Sequence, residues 1–543
     1  MRLYQQIRAS IARLAVSGAV ALMFASGMPL SAFGQTPQAT QPPTVAPVAP
    51  VVTVQGTPLS IEDAVRMALE NNLGIQIEKL NPQIQVLGIA RADAAYAPTL
   101  FSNFNRRSAT APPSDFLSAG TGVNIVTNAS FVTTGGVQQN MKWGGGNYQV
   151  SLDGSRATSN AARTLFSPQL NSNLVAVYTQ PLLRNFKIDS LRQQLLQSRN
   201  NATIADIQLQ QRITQTSRGV RAAYYQLIGA ISGLEVAQQS LDVARTSLKN
   251  NQTRVEVGTM APIDIVTAKA EVASNEEAVI VQQALIESAE DQLRALVMNP
   301  TQPGFWSARF TPSEQPNLAP REINLDAAIK NALENRTDLR EFRKSMENTD
   351  VSMAFARNQR LPAVDLQARY GVTGLGGTQF NYNTVSVDDP TLVRTTAGVR
   401  SFADVLRDVF GNDFKTWSFA VNVSYPLGTS IADAAYAQAK IQKQQEQTTL
   451  ANLELSVTQA VREVGRNVNT NLRRVEATRR ARELAEERLD ADNKRFSVGL
   501  ATTFELLQSQ RDLARAKQSE LRAIIDYNQS LVDFEAVQIS PLR

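Results

Sequence analysis

The sequence predicts a mainly α-helical chain built from two structural repeats, each carrying long helices and a run of amphipathic strands suited to the wall of a transmembrane β-barrel. Three observations predict it. A helical opening occurs twice, at 59–71 and 323–335, an offset of 264 residues. Two stretches, 191–256 and 431–498, contain no proline, and each meets a Val-Gly turn. Between opening and long stretch, each half alternates apolar and polar residues with period two.

Residues 1–34 read as a secretory signal peptide. Arg2, Arg8 and Arg13 make a basic start, 14–30 is mostly apolar or small, and Ala32 and Gly34 occupy the two positions a signal peptidase reads. Ser17, Gly18, Ser26, Gly27 and Pro29 interrupt the apolar run. A spanning helix needs about 20 mainly apolar residues, so a membrane anchor is the weaker reading. Residues 35–56 form a Pro-rich flexible leader, where Pro37, Pro42, Pro43, Pro47 and Pro50 favour extended backbone.

Without the three leading arginines, 54 basic against 49 acidic residues becomes 51 against 49. That balance gives no reason to expect nucleic acid as a partner, and no basic run is interleaved with aromatics. Cysteine and histidine are both absent. Disulfides, thiolate zinc sites, Cys nucleophiles and His-based mechanisms are therefore excluded. No catalytic residue, cofactor or metal is expected. Ser/Lys and paired-carboxylate schemes stay open from sequence alone.

The first repeat is placed at 57–299 and the second at 321–540. A Pro-rich connector, 300–320, joins them through Pro300, Pro303, Pro312, Pro316 and Pro320. Each half is expected to run in the same order. A short helix precedes a medium one ending before Pro98 or Pro362. A strand region then exits at Pro181 or Pro426. A very long helix ends at Gly258 or Gly499, and a last helix follows. The offset between matching residues falls from 264 to 241 along the chain, so the first half carries the longer insertions.

In the strand regions, Val364, Leu366, Ala368 and Tyr370 alternate with Asp365, Gln367, Arg369 and Gly371. Phe419, Val421, Val423 and Tyr425 alternate with Ser418, Ala420, Asn422 and Ser424. Tyr148, Val150 and Leu152 alternate with Asn147, Gln149, Ser151 and Asp153. Period two puts each set on its own face. Taken singly such segments fit a half-buried soluble sheet; beside an export signal they fit a transmembrane barrel.

The 66 residues from 191 to 256 would span about 100 Å as one helix. In the second long stretch Leu450, Leu453, Val457, Val461, Val464, Val468, Leu472 and Val475 form an eleven-residue repeat. At about 3.67 residues per turn, that period favours helices running nearly straight, as in a wide cylinder. Arg473, Arg474, Arg479, Arg480 and Arg482 lie among Glu476, Glu483, Glu486 and Glu487, the pattern of an ion-paired solvated face. The Gly-Leu-Gly-Gly run at 374–377 lacks the lysine of a phosphate loop.

The doubled openings, the Pro-Leu strand exits at Pro181 and Pro426 and the doubled Val-Gly turns resemble the TolC-like outer membrane efflux protein family. The resemblance covers nearly all of 57–539. It implies two barrel strands per repeat, hence four per subunit, too few to close a barrel without edges left in lipid. Two subunits would supply eight strands and three would supply twelve. The resemblance implies a homotrimer with a twelve-stranded barrel above an α-helical periplasmic tunnel. Residues 108–128 and 375–413 would then be loops at the outer rim.

Gly258 and Gly499 are expected at the hairpin tips, where a left-handed residue ends a helix. Six residues beyond each stands an acid, Asp264 and Glu505. Rings of such acids favour cations; equally, an acid at a helix N-terminus offsets the helix dipole. The resemblance implies that Glu505 contributes to an entrance constriction and Asp264 to a latch. The chain departs from that pattern with Phe496 in place of a Tyr donor, Ala501 in place of an Arg, and Gln508 in place of a second constriction acid. A weaker or differently wired closed state is expected.

The expected function is a passive outer-membrane exit duct for efflux or type I secretion. Its expected partners are outer-membrane lipid, a periplasmic adaptor and an inner-membrane transporter. The alternative is a periplasmic coiled-coil adaptor or scaffold, which would need no barrel strands.

Overall fold

The computed structural model describes residues 56–112, 125–161, 164–316, 318–384, 392–428 and 430–542. The signal peptide and nearly all of the leader lie outside them.

The doubled opening folds twice into the same unit. Ser60 Oγ accepts from the Asp63 N–H and starts α1 (Ile61–Asn71), while Asn324 Oδ1 accepts from the Ala327 N–H and starts α5 (Leu325–Asn335). Each is 11 residues long. Each buries a pair of alanines, Ala64 with Ala68 and Ala328 with Ala332, so its backbone lies close on the long helices. α2 (Leu73–Ala94) and α6 (Thr337–Gln359) follow directly and stop before Pro98 and Pro362.

The long helices are continuous. α3 (Ser190–Glu256) and α8 (Ile431–Ser497) have 67 residues each, about 100 Å at the usual rise. α4 (Pro262–Val297) and α9 (Thr503–Val537) fold back along them. The eleven-residue stripe of α8 is its packing face. Val457, Val461, Val464, Val468 and Val475 are buried against Ala523, Tyr527, Phe534 and Val537 of α9 and the alanines of α5. The matching core of the first half joins Val220, Tyr224 and Leu227 of α3 to Leu293 and Val297 of α4. The halves also pack on each other, with Arg218 to Asp533 at 2.6 Å and Gln208 to Glu341 at 2.7 Å.

The connector is tied down. β1 (Thr57–Leu59) pairs in parallel with β6 (Phe310–Pro312), and the Tyr224 hydroxyl donates to the Leu59 carbonyl at 2.8 Å. The arginine-rich part of α8 carries ion pairs, among them Arg474–Asp526, Arg479–Glu483 and Arg482–Glu520.

The remaining strands form a single sheet of seven: β2 (Thr99–Ala111), β3 (Val126–Asn140), β4 (Asn147–Ser159), β5 (Phe166–Pro181), β7 (Ala363–Thr384), β8 (Leu392–Arg400) and β9 (Lys415–Ser424). β8 and β9 share one edge of β7. β8 pairs with 377–384 and β9 with 363–372, and α7 (Phe402–Gly411) sits between them. The second half therefore fills two strand positions, as expected, but the first half fills four. The expectation of two strands per repeat is corrected: β3 and β4 form an extra hairpin between β2 and β5. Its turn is made by Gly144 and Gly145, both with positive φ, a conformation glycine adopts at little cost.

The expected rim loop at 375–413 is also corrected. It contains the end of β7, β8 and α7, with 385–391 outside the described residues. The other expected loop, 108–128, begins and ends inside β2 and β3, and its centre at 113–124 lies outside the described residues.

Candidate functional site

The sheet has two faces of different chemistry, and rows of paired residues carry each of them from strand to strand. One row reads Leu100, Val137, Val150, Ala176, Tyr370, Trp417. Another, three residues along, reads Asn103, Thr134, Asp153, Asn173, Thr373 on the opposite side. The three alternating segments seen in the sequence meet here: Tyr148, Tyr178, Ala368 and Phe419 are cross-strand neighbours.

Outside the patch that α7 covers, the apolar face is bare in the single chain. Leu100, Phe104, Trp417, Phe419, Val421 and Val423 are each 60% or more exposed. So much contiguous apolar surface cannot face water in a stable protein. The polar face is concave: Arg107, Asn128, Ser130, Ala157 and Gln169 from four strands line one cleft of about 460 Å³. Apolar outside and polar inside is the arrangement of a lipid-embedded barrel with an aqueous lumen. β9, with 10 residues, has the length a tilted membrane strand requires. No helix among the described residues is long and apolar enough to cross a membrane.

α7 lies on the apolar face. Ser401 and Asp404 cap it reciprocally, and Arg400 holds Asp408 with both carboxylate oxygens within 2.8 Å. Its own Val405 and Val409 are fully buried against the sheet. The Gly-Leu-Gly-Gly run is what lets it dock. A Cβ on Gly374 would stand 2.3 Å from the Val405 carbonyl oxygen, and one on Gly376 would stand 2.5 Å from a Val405 methyl. These glycines serve packing.

Pro181 is the last residue of β5, and Pro426 lies two residues past β9. At both sites the chain leaves the sheet for a long helix, since proline offers no N–H to a further ladder bond. The junction is braced by a capping box at Ser430 and Asp433 and by Arg360, 2.6 Å from Asp433. Ser430 and Arg360 hold the Asp433 carboxyl below the usual carboxylate range.

The far ends of the hairpins carry the other candidate residues. Gly258 (φ 78°) and Gly499 (φ 77°) each close a Schellman motif. Thr259 N–H bonds the Arg254 carbonyl and Leu500 N–H bonds the Arg495 carbonyl, both at 2.8 Å. Asp264 lies half-buried in the first turn of α4 and Glu505 exposed in the first turn of α9. The Glu505 carboxylate accepts the Thr502 N–H at 2.8 Å, completing a capping box that α4, begun by Pro262, lacks.

Two contacts missed from the sequence join the hairpins near their tips. The Arg254 guanidinium stands 4.6 Å from the Phe496 ring centroid. Arg511 of α9 donates Nε to buried Glu271 of α4 at 2.9 Å. That bond holds the Arg511 pKa above its ordinary value. Each partner pair is about 240 residues apart, a separation no local pattern reveals. Gln508, where a second constriction acid was looked for, donates to Asp512.

A chain with this wall and these hairpins is an outer-membrane channel subunit. It belongs to the outer membrane efflux protein family, whose pattern matches residues 148–297 and 328–537. It is 24% identical to outer membrane protein TolC of Escherichia coli over 394 residues, 70% of this chain and 72% of that one. It is likewise 24% identical to TolC of Salmonella enteritidis over 387 residues, 70% of this chain and 71% of that one. Among solved structures, the CmeC outer membrane channel of Campylobacter jejuni superposes with a TM-score of 0.62 at 13% identity, covering 88% of this chain and 85% of that one. The open-state MtrE channel of Neisseria gonorrhoeae gives 0.58 at 15% identity, covering 89% of each chain.

Proposed function

We propose that the protein is a passive exit duct. In this reading three copies close a barrel in the outer membrane and bundle their hairpins into a periplasmic tunnel. An inner-membrane transporter and a periplasmic adaptor supply energy and cargo, for efflux or type I secretion. The single observation that carries the duct is the sheet, apolar on its exposed face and polar on its concave one, set at the end of hairpins about 100 Å long. A coiled-coil adaptor or scaffold has no use for such a wall. No enzymatic step belongs to this chain, whose relatives are channels.

The tips form the entrance. Asp264 and Glu505, repeated around a symmetric oligomer, place rings of negative charge where cargo enters and favour cations. Glu505 also caps α9, and the two roles separate cleanly: Gln at that position keeps the capping box and removes the charge. In planar bilayers the wild type should form discrete, cation-preferring channels, and Glu505→Gln should lose most of that preference with α9 intact by circular dichroism. Unchanged selectivity would remove the ring. A folded, membrane-extracted oligomer that passes no current even after its tips are loosened by mutation would remove the duct.

A further inference from the structure

We infer that the β3–β4 hairpin is part of the barrel wall, so that each subunit contributes six strand positions and a closed trimer has eighteen rather than twelve. The inference rests on the trimeric duct proposed above.

Four observations carry it. The hairpin pairs residue for residue on both sides, Thr99–Ala111 with 126–138 and 147–157 with 169–179. A loop folded over a barrel would leave β2 beside β5; here the two are separated by both strands of the hairpin. The hairpin also keeps the phase of its neighbours. Val137, Val150 and Leu152 continue the apolar face, while Thr134, Gln149 and Asp153 continue the polar one. A strand slipped by one residue, or lying in the lumen, would not need that phase.

Its turn is buttressed from the helical side. Gln139 Nε2 and Asn140 Nδ2 donate to the carbonyls of Tyr96 and Ala95 at the end of α2, and Lys142 pairs with Asp93 at 2.8 Å. Gln180, at the foot of β5, donates to the Gly144 carbonyl at 2.7 Å. Trp143, 70% exposed on this turn, sits where an aromatic belt meets the membrane surface.

Finally, the count closes. Six alternating positions make β2 antiparallel to β9, and among the described residues neither strand is paired along its outer side, β8 sharing the last position with β9. The occupant of each edge is a second copy: β9 of one subunit against β2 of the next. Barrel diameter grows roughly linearly with strand number, so eighteen positions give a pore about 1.5 times as wide as twelve, in the range where barrels leave an open aqueous channel. Passage would then be limited in the helical tunnel and never in the membrane.

The test is a strand-resolved cryo-electron microscopy map of the oligomer extracted from membranes. Three copies and eighteen wall positions, with β2 joined to β9, are expected. Three copies closing on twelve positions, with 126–159 out of the wall, would overturn the inference and leave the trimer standing. A copy number other than three would overturn the trimer itself. An independent check uses the absence of native cysteine. In lipid vesicles Gln149→Cys, exposed on the polar face, should react with a charged thiosulfonate and lower the conductance, and Val150→Cys should react at least tenfold more slowly. Equal rates would overturn the wall assignment.

Discussion

Arg511 and Glu271 show what one pair does at the residue scale. Glu271 is buried, and among the described residues Arg511 is the only charge paired with it, so removing the guanidinium leaves a carboxylate away from water with only the Asn275 amide donating to it. Arg511 itself is about half exposed, and solvent screening reduces the loss to on the order of 1 kcal/mol. The pair ties α9 to α4, and Arg254 against Phe496 ties α3 to α8, so both span the two hairpins of a subunit. The Arg254 contact stands at Phe496, where the resemblance implies a Tyr, which fits a closed state wired differently. Arg511→Ala with Arg254→Ala is expected to raise single-channel conductance severalfold in planar bilayers without changing helix content. A double variant conducting like the wild type would leave the closed state without this latch. Neither pair was legible in the sequence, because an arginine facing a partner about 240 residues away leaves no periodic trace.

Among the elements, legibility followed the strength of the repeating pattern. The long helices were read almost to the residue: the stretches expected at 191–256 and 431–498 are α3 and α8, and the valine stripe of α8 is buried as spaced. Strands were read only where large apolar residues alternate, in β4, β7 and β9. β3 was missed because Thr133, Thr134, Gly135 and Gly136 dilute its alternation, and β8 because Thr395, Thr396 and Gly398 do the same. α7 was missed because ten residues inside a Gly- and Asp-rich run resemble a loop, although Ser401 and Asp404 held a capping signal. Its docking depends on the two glycines beneath it. Gly376→Leu is expected to lift α7 from the sheet and let its backbone unwind at Arg407, already exposed, so that trypsin cuts there at least tenfold faster than in the wild type while conductance persists. Equal proteolysis would mean that α7 is held by its Arg400–Asp408 bond alone.

At the scale of the whole molecule, the duplicated order of elements and the channel class could be read from the sequence, whereas the number of wall strands could not. Strand count is decided by pairing, and pairing is long-range: β5 meets β7 across the connector between the halves. The resemblance to a family with two strands per repeat supplied a number that this chain exceeds. The exposed apolar band makes a firm physical demand, since such a surface persists only when lipid or another chain covers it. The protein should fractionate with the outer membrane and run as an SDS-resistant oligomer until heated. A monomer at all temperatures, found in the soluble periplasmic fraction, would contradict both the band's role and the oligomer.

The two unpaired edges of the sheet bear on inheritance as much as on structure. A lone subunit in lipid would leave a row of backbone amides and carbonyls without partners at β2 and again at β9, so membrane entry and subunit joining become one event. A defective copy is then not merely lost. A subunit with a spoiled β2 edge still offers a sound β9 to its neighbour, enters the ring and leaves it open. In the proposed trimer, equal expression of sound and spoiled copies would leave only about one ring in eight wholly sound if subunits mix at random in a closed ring. Damage at the edges should therefore be genetically dominant, and damage to either half's buried core, which prevents the subunit from reaching the ring, recessive.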